Sequence, residues 1–315
     1  SSVTPVDSIL SVVSRLLSPS FAETGAVRVG SLATQILTCF SESLSPETMQ
    51  QLCQAMIVRL ATCRYGELKQ SIVVFFARMI HRDVHAVMSM LNSMQVQGGA
   101  DGQSKSGLLV LMHCWMSDQP TFVGRFDVKS TLLALSLVFQ HYGVQCSQIM
   151  VDGDLVVNVN EGRRTRSQGR KAPEYESIPL PLKVIQLLLR AIDEPEDEYE
   201  DEDESELSGG VGGSGMSGSG MSSGIFAPAE DFEEFMLSDI GSTFMWDDEE
   251  EGEEQAESLD VLEDPLYQVD LQEHLLAFFK QRSAEEMNGI GSRLNHHDQQ
   301  RLVAVGEMLS GVTKR

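Results

Sequence analysis

The chain has 315 residues, 42% of them hydrophobic, and its 23 basic against 47 acidic side chains give a formal net charge of −24. That is enough apolar material for a sizeable core in one large or two ordinary domains, while the charge argues against direct binding of nucleic acid and for a basic partner. No apolar run reaches the ~18 residues of a membrane span, the N-terminus lacks the progression of a secretory signal, and Ser1 in place of Met points to a fragment or a processed product.

The first element is a helix over 4–17. Thr4-Pro5-Val6-Asp7 reads as a capping box with proline in the first turn, and Val6, Ile9, Leu10, Val13, Leu16 and Leu17 share one face. Val29, Leu32, Ala33, Ile36, Leu37 and Phe40 then fall at offsets 0, 3, 4, 7, 8 and 11, a helical stripe. Ser45-Pro46-Glu47 starts a third helix whose Met49, Leu52, Cys53, Met56, Ile57 and Leu60 repeat those offsets, and a fourth over 66–80 presents Leu68, Ile72, Phe75, Phe76 and Met79.

The Thr4-Pro5 and Ser45-Pro46 starts lie 41 residues apart, and each interval holds two amphipathic helices. A helix pair recurring at about 40–47 residues has the size of a HEAT repeat. One pair cannot cover its own apolar face, so neighbours stack and bury it. An antiparallel helical bundle gives the same local pattern and stays open at this point.

Further helices are expected near 84–94, 107–117 and 126–142, the first two separated by a flexible loop, QVQGGADGQSKSG. The run 149–158, IMVDGDLVVN, predicts a β-hairpin turning at Asp152-Gly153. A basic loop with Arg163, Arg164, Arg166, Arg170 and Lys171 follows, then a helix over 178–192. His113-Cys114-Trp115 reads as core. The cysteines (Cys39, Cys53, Cys63, Cys114, Cys146) are irregularly spaced without a C-x-x-C pair, which fits free thiols in the cytosol or nucleus.

From Asp193 to Asp264 the composition changes. This tract holds 27 of the 47 acids and no Lys, Arg or His, with a Gly/Ser/Met spacer over 208–224. Self-repulsion and low apolar content predict that it does not fold alone. Order is expected to resume at DPLYQVDLQEHLLAFFKQ, with a closing helix over 296–309 that starts at His296-His297. The resulting division is 1–192 for helical repeats, 193–264 for the acidic insert and 265–315 for closing helices.

The blocks VDGDLVVNVNEGRRTRS, IPLPLKVIQLLL and EDPLYQVDLQEHLLAFF, in that order around an acidic insert, resemble the karyopherin-β (importin-β) family of nuclear transport receptors. The resemblance is clear over about 145–280 and fades past Arg282. It implies an all-α solenoid of HEAT repeats, here its C-terminal, cargo-facing part. It further implies a protein that shuttles between cytoplasm and nucleus and meets nucleoporins. Ran-GTP would bind on N-terminal repeats outside this chain. The implied cargo is basic protein: core histone dimers above all, also ribosomal proteins or actin, with the acidic loop shielding histone surface as a chaperone.

A charge run often only solubilises, but here aromatics sit among the acids. The candidate cargo-binding residues are Asp197, Glu198, Tyr199, Glu200 and Asp201 in the first run. In the second they are Phe232, Phe235, Trp246, Asp247, Asp248, Glu249 and Glu250. Aromatic anchors would fill shallow pockets while carboxylates supply long-range attraction, and the spacer lets each cluster find its own patch. A solubilising linker, or an acidic–hydrophobic segment of the transcription-activator kind, remains the competing reading. The basic cluster fits a loop that pairs weakly with the acidic tract better than a nuclear localisation signal or a nucleic-acid patch.

No cofactor is expected, no calcium loop or other metal site is visible, and no P-loop, dinucleotide fingerprint or nucleophile elbow occurs, so an enzyme is not expected.

Overall fold

The computed structural model describes residues 5–40, 43–97, 104–156, 175–193 and 264–311. The sequence stripes become helices α1 (Pro5–Leu16), α2 (Val29–Phe40), α3 (Pro46–Thr62) and α4 (Gly66–Arg82). Next come α5 (Val84–Ser93), α6 (Gly107–Asp118), α7 (Arg125–Tyr142) and α8 (Leu180–Asp193). After the acidic tract lie α9 (Leu271–Lys280), α10 (Ala284–Gly291) and α11 (His296–Leu309).

Side-chain caps set the starts. Ser45 Oγ accepts from the Thr48 N–H at 3.1 Å, Ser106 Oγ from Leu109 at 3.2 Å and Asp270 Oδ1 from Glu273 at 2.7 Å. Each supplies an acceptor to a backbone donor that has no intrahelical partner.

The helices stack in two rows, as expected of an α-solenoid. One row runs α2, α4, α7, α9 and the other α3, α6, α8, α11, with contacts between successive members of each. Contacts α3–α4, α7–α8 and α9–α11 join the rows, and α1 packs on α2. α5 is an addition to the alternating pattern, wedged against α4, α6 and α7. A single continuous apolar core runs between the rows, with Phe75, Phe76 and Trp115 fully buried. Close crossing of α2 and α4 depends on Gly30. Its N–H donates to Ser71 Oγ at 3.0 Å, and a Cβ there would overlap the Ser71 carbonyl.

Two expectations change where strands form. Gln95–Gln97 (β1) pairs antiparallel with Ser104–Ser106 (β2), so the ends of the QVQGGADGQSKSG loop are ordered. The second concerns the hairpin over 149–158. Its Asp152-Gly153 is not a turn but lies inside β3 (Met150–Leu155), whose partner is β4 (Tyr175–Pro179), with Asp152 opposite Ser177. The glycine serves close strand approach: a Cβ on Gly153 would stand 3.0 Å from Ile178 Cγ2 and 3.1 Å from the Glu176 carbonyl oxygen. The register shifts between Asp152 and Leu155, as glycine-marked irregularities do. His113 is a smaller correction: it is exposed and Cys114 half-buried, leaving only Trp115 in the core.

Candidate functional site

The residues assigned to cargo binding from sequence lie outside the described residues: Asp197, Glu198, Tyr199, Glu200, Asp201, Phe232, Phe235, Trp246, Asp247, Asp248, Glu249 and Glu250. So do Arg163, Arg164, Arg166, Arg170 and Lys171. What the structure describes is how the helical body holds the chain on either side of these segments.

The N-terminal flank of the acidic tract ends on α11. Asp193, last residue of α8, accepts from Arg301 Nε at 2.8 Å, and Arg301 Nη1 reaches Asp298 Oδ1 at 3.2 Å. Asn295 caps α11, its Oδ1 accepting from the Asp298 N–H at 2.8 Å. Its amide donates to Asp298 Oδ2 at 2.8 Å and to Asp154 Oδ2 on β3 at 2.7 Å. Asp298 is buried, which a carboxylate tolerates only when paired and hydrogen-bonded. Lys183 on α8 faces Asp154, Asp298 and Asp152, yet burial outweighs them and holds its ammonium below the usual lysine range.

The C-terminal flank is the DPLYQVDLQ block. Lys129, only 6% exposed on α7, donates to the Tyr267 carbonyl at 2.9 Å and sits 5.6 Å from the Tyr267 ring centre. Phe126 lies against the same ring, 6.2 Å between centres. One turn of α9 on, His274 Nε2 lies 3.1 Å from Ser136 Oγ. The Ser136 hydroxyl proton goes to the Leu133 carbonyl at 2.7 Å, so the imidazole donates to the serine oxygen. The block therefore clips the returning chain onto α7. Lys129 and Arg301 were missed in the sequence, where neither stands apart from the other helix cations.

Among the described residues no cluster of His, Cys, Asp and Glu is arranged to hold a metal ion, and no helix is long and apolar enough to cross a membrane.

Two rows of stacked antiparallel helix pairs around one core define an α-solenoid. Curated relatives agree with the resemblance read from the sequence. Importin subunit beta-5 of Saccharomyces cerevisiae is 26% identical over 182 residues, 58% of this chain and 17% of that protein. Importin-9 of Drosophila melanogaster is 26% identical over 191 residues, 58% of this chain and 18% of its own length. Importin subunit beta-5 of Schizosaccharomyces pombe is 24% identical over 181 residues, 57% and 17% respectively. The chain is thus similar to karyopherin-family importins and spans 17–18% of the length of these relatives. No family model matches it.

Proposed function

We propose that this chain is a non-catalytic part of a karyopherin-type nuclear import receptor, and that its acidic tract recognises basic protein cargo, core histone dimers in the first place. Charge segregation on a solenoid scaffold carries the reading. Residues 193–264 hold 27 of 47 acids without a single base, whereas the rest of the chain has 20 acids against 23 bases. A field so concentrated attracts a basic surface from a distance and speeds encounter, with an effect that falls as salt rises. Similarity to proteins named as importins supports the transport role. The tract would cover histone surface that otherwise meets DNA, a chaperone role. Shuttling between cytoplasm and nucleus follows from the same reading, with nucleoporins as partners and Ran-GTP engaging N-terminal repeats outside this chain.

The test is titration of a core histone dimer into the chain with and without 193–264 at two salt concentrations. We expect deletion to weaken binding at least about tenfold at the lower salt and to flatten the salt dependence. Unchanged affinity would make the tract a solvated linker on a scaffold.

A further inference from the structure

A cleft of about 570 Å³ opens where the C-terminal end of α7 meets the start of α8 and the α9–α10 corner. Its apolar lining includes Phe139, Val144, Pro181 and Ile290, and its charged lining is Arg282, Arg293 and Glu286. Two observations set it apart from an ordinary surface depression.

The first is the state of Arg282. Its guanidinium lies 4.5 Å from the ring centre of Phe278 and 5.4 Å from that of Phe139, so both rings fix its position. The side chain is 13% exposed; among the described residues its Nε is buried without an acceptor and the nearest carboxylate oxygen, Glu286 Oε1, stands 4.0 Å away. That distance is beyond hydrogen-bonding reach. A largely desolvated guanidinium with no hydrogen-bonded anion is costly, and its held fork matches a carboxylate. Arg293, exposed on the same rim, makes no ion pair among the described residues.

The second is the apolar wall. Val144 is 85% exposed, in the turn between α7 and β3. Solvated apolar surface beside one ring-held and one exposed cation suits neither a free anion nor a plain hydrophobic helix. It suits a chain segment in which a carboxylate and a bulky apolar side chain are neighbours, one for each wall.

We propose that this cleft is a docking site for an extended acidic–aromatic peptide segment of a partner protein, its carboxylate on Arg282 and Arg293 and its apolar side chain against Val144 and Ile290. The site is independent of the cargo reading, because it selects acidic and not basic partners. Histone titration and peptide titration can therefore fail separately.

The probe is a fluorescein-labelled Glu-Asp-Phe-Glu-Glu-Phe-Met peptide, the sequence of residues 230–236. It is titrated by anisotropy into the full chain, beside its amide analogue with Gln and Asn for Glu and Asp. Saturable binding is expected, weaker by about tenfold for the analogue and again for Arg293→Glu and for Val144→Asp. Both substitutions are at exposed positions, so far-ultraviolet circular dichroism should stay unchanged. Arg282→Lys, which keeps the charge but loses the fork, should bind several-fold less tightly. Equal binding to Arg293→Glu and Val144→Asp, or no binding at all, overturns the proposal. So does clearly tighter binding once residues 230–250 are replaced by Gly and Ser, since that outcome makes the chain's own segment the occupant in place of a partner.

Discussion

His274 shows what a single half-buried side chain costs and contributes. Burial holds its imidazole below the usual histidine range. The unfolded chain then takes up a proton near pH 6.5 while the folded chain does not. Stability from this group is present above the unfolded value and is lost as pH falls through it toward the depressed folded value. Urea midpoints should drop between pH 7.5 and pH 5.5, and His274→Gln, which keeps a donor for Ser136, should drop less. The thiols make a complementary case. Burial raises Cys53 to about 12 and both Cys63 and Cys146 to about 11, and it raises Cys114 as well. Thiolate is the reactive form, so exposed Cys39 should be alkylated by iodoacetamide at pH 7.5 well before the others. Intact-mass kinetics with several fast sites would contradict this. The sequence marked all five as free thiols and put Cys53 on an apolar helix stripe, but the burial of Cys63 at the end of α3 and of Cys146 in the turn after α7 depends on packing that spacing alone does not give.

At the scale of elements, apolar periodicity was sufficient wherever one helix face meets a neighbour. α1 to α4 begin and end within about two residues of their sequence expectation, because each carries an apolar stripe, with which the Ser45 cap and Pro46 agree at α3. It failed where partners are distant. Asp-Gly inside a β-branched run is the strongest short-range hairpin signal, yet β3 pairs across residues 156–174 with β4, and Gly153 serves strand approach. α10, with no fully buried residue, lacked a stripe to betray it. Gly30 was equally silent, since a glycine among apolar residues only lowers helix propensity. Its role emerges from the α2–α4 crossing. Gly30→Ala must push α2 away from the Ser71 backbone, an overpacking cost of roughly 1–3 kcal/mol. Urea unfolding should report that loss, and hydrogen exchange should show it concentrated in α1 and α2. A neutral Gly30→Ala would mean that the crossing relaxes freely.

At the scale of the whole molecule, the acidic candidate site was legible as composition but not as geometry, since charge density needs no partner to be read and a docking pose does. What the structure adds is the anchoring of the segments' flanks. Asp154 precedes the basic loop, Asp193 begins the acidic tract, and each is held by a side chain that also bonds Asp298: Asn295 for the first, Arg301 for the second. The described flanks of the basic loop and the acidic tract thus meet at the start of α11. Two oppositely charged segments tethered so near one another experience a high effective concentration, although each exposed pair between them is weak and screened by salt. We propose that the basic loop competes with basic cargo for the acidic tract. Replacing Arg163, Arg164, Arg166, Arg170 and Lys171 by Gln should tighten histone-dimer binding by roughly 3–10-fold at low salt. The gain should shrink as salt rises, because the same screening weakens the competition being removed. Loss of affinity on neutralisation would instead place those cations on the cargo side, and an unchanged affinity would mean that the loop does not compete.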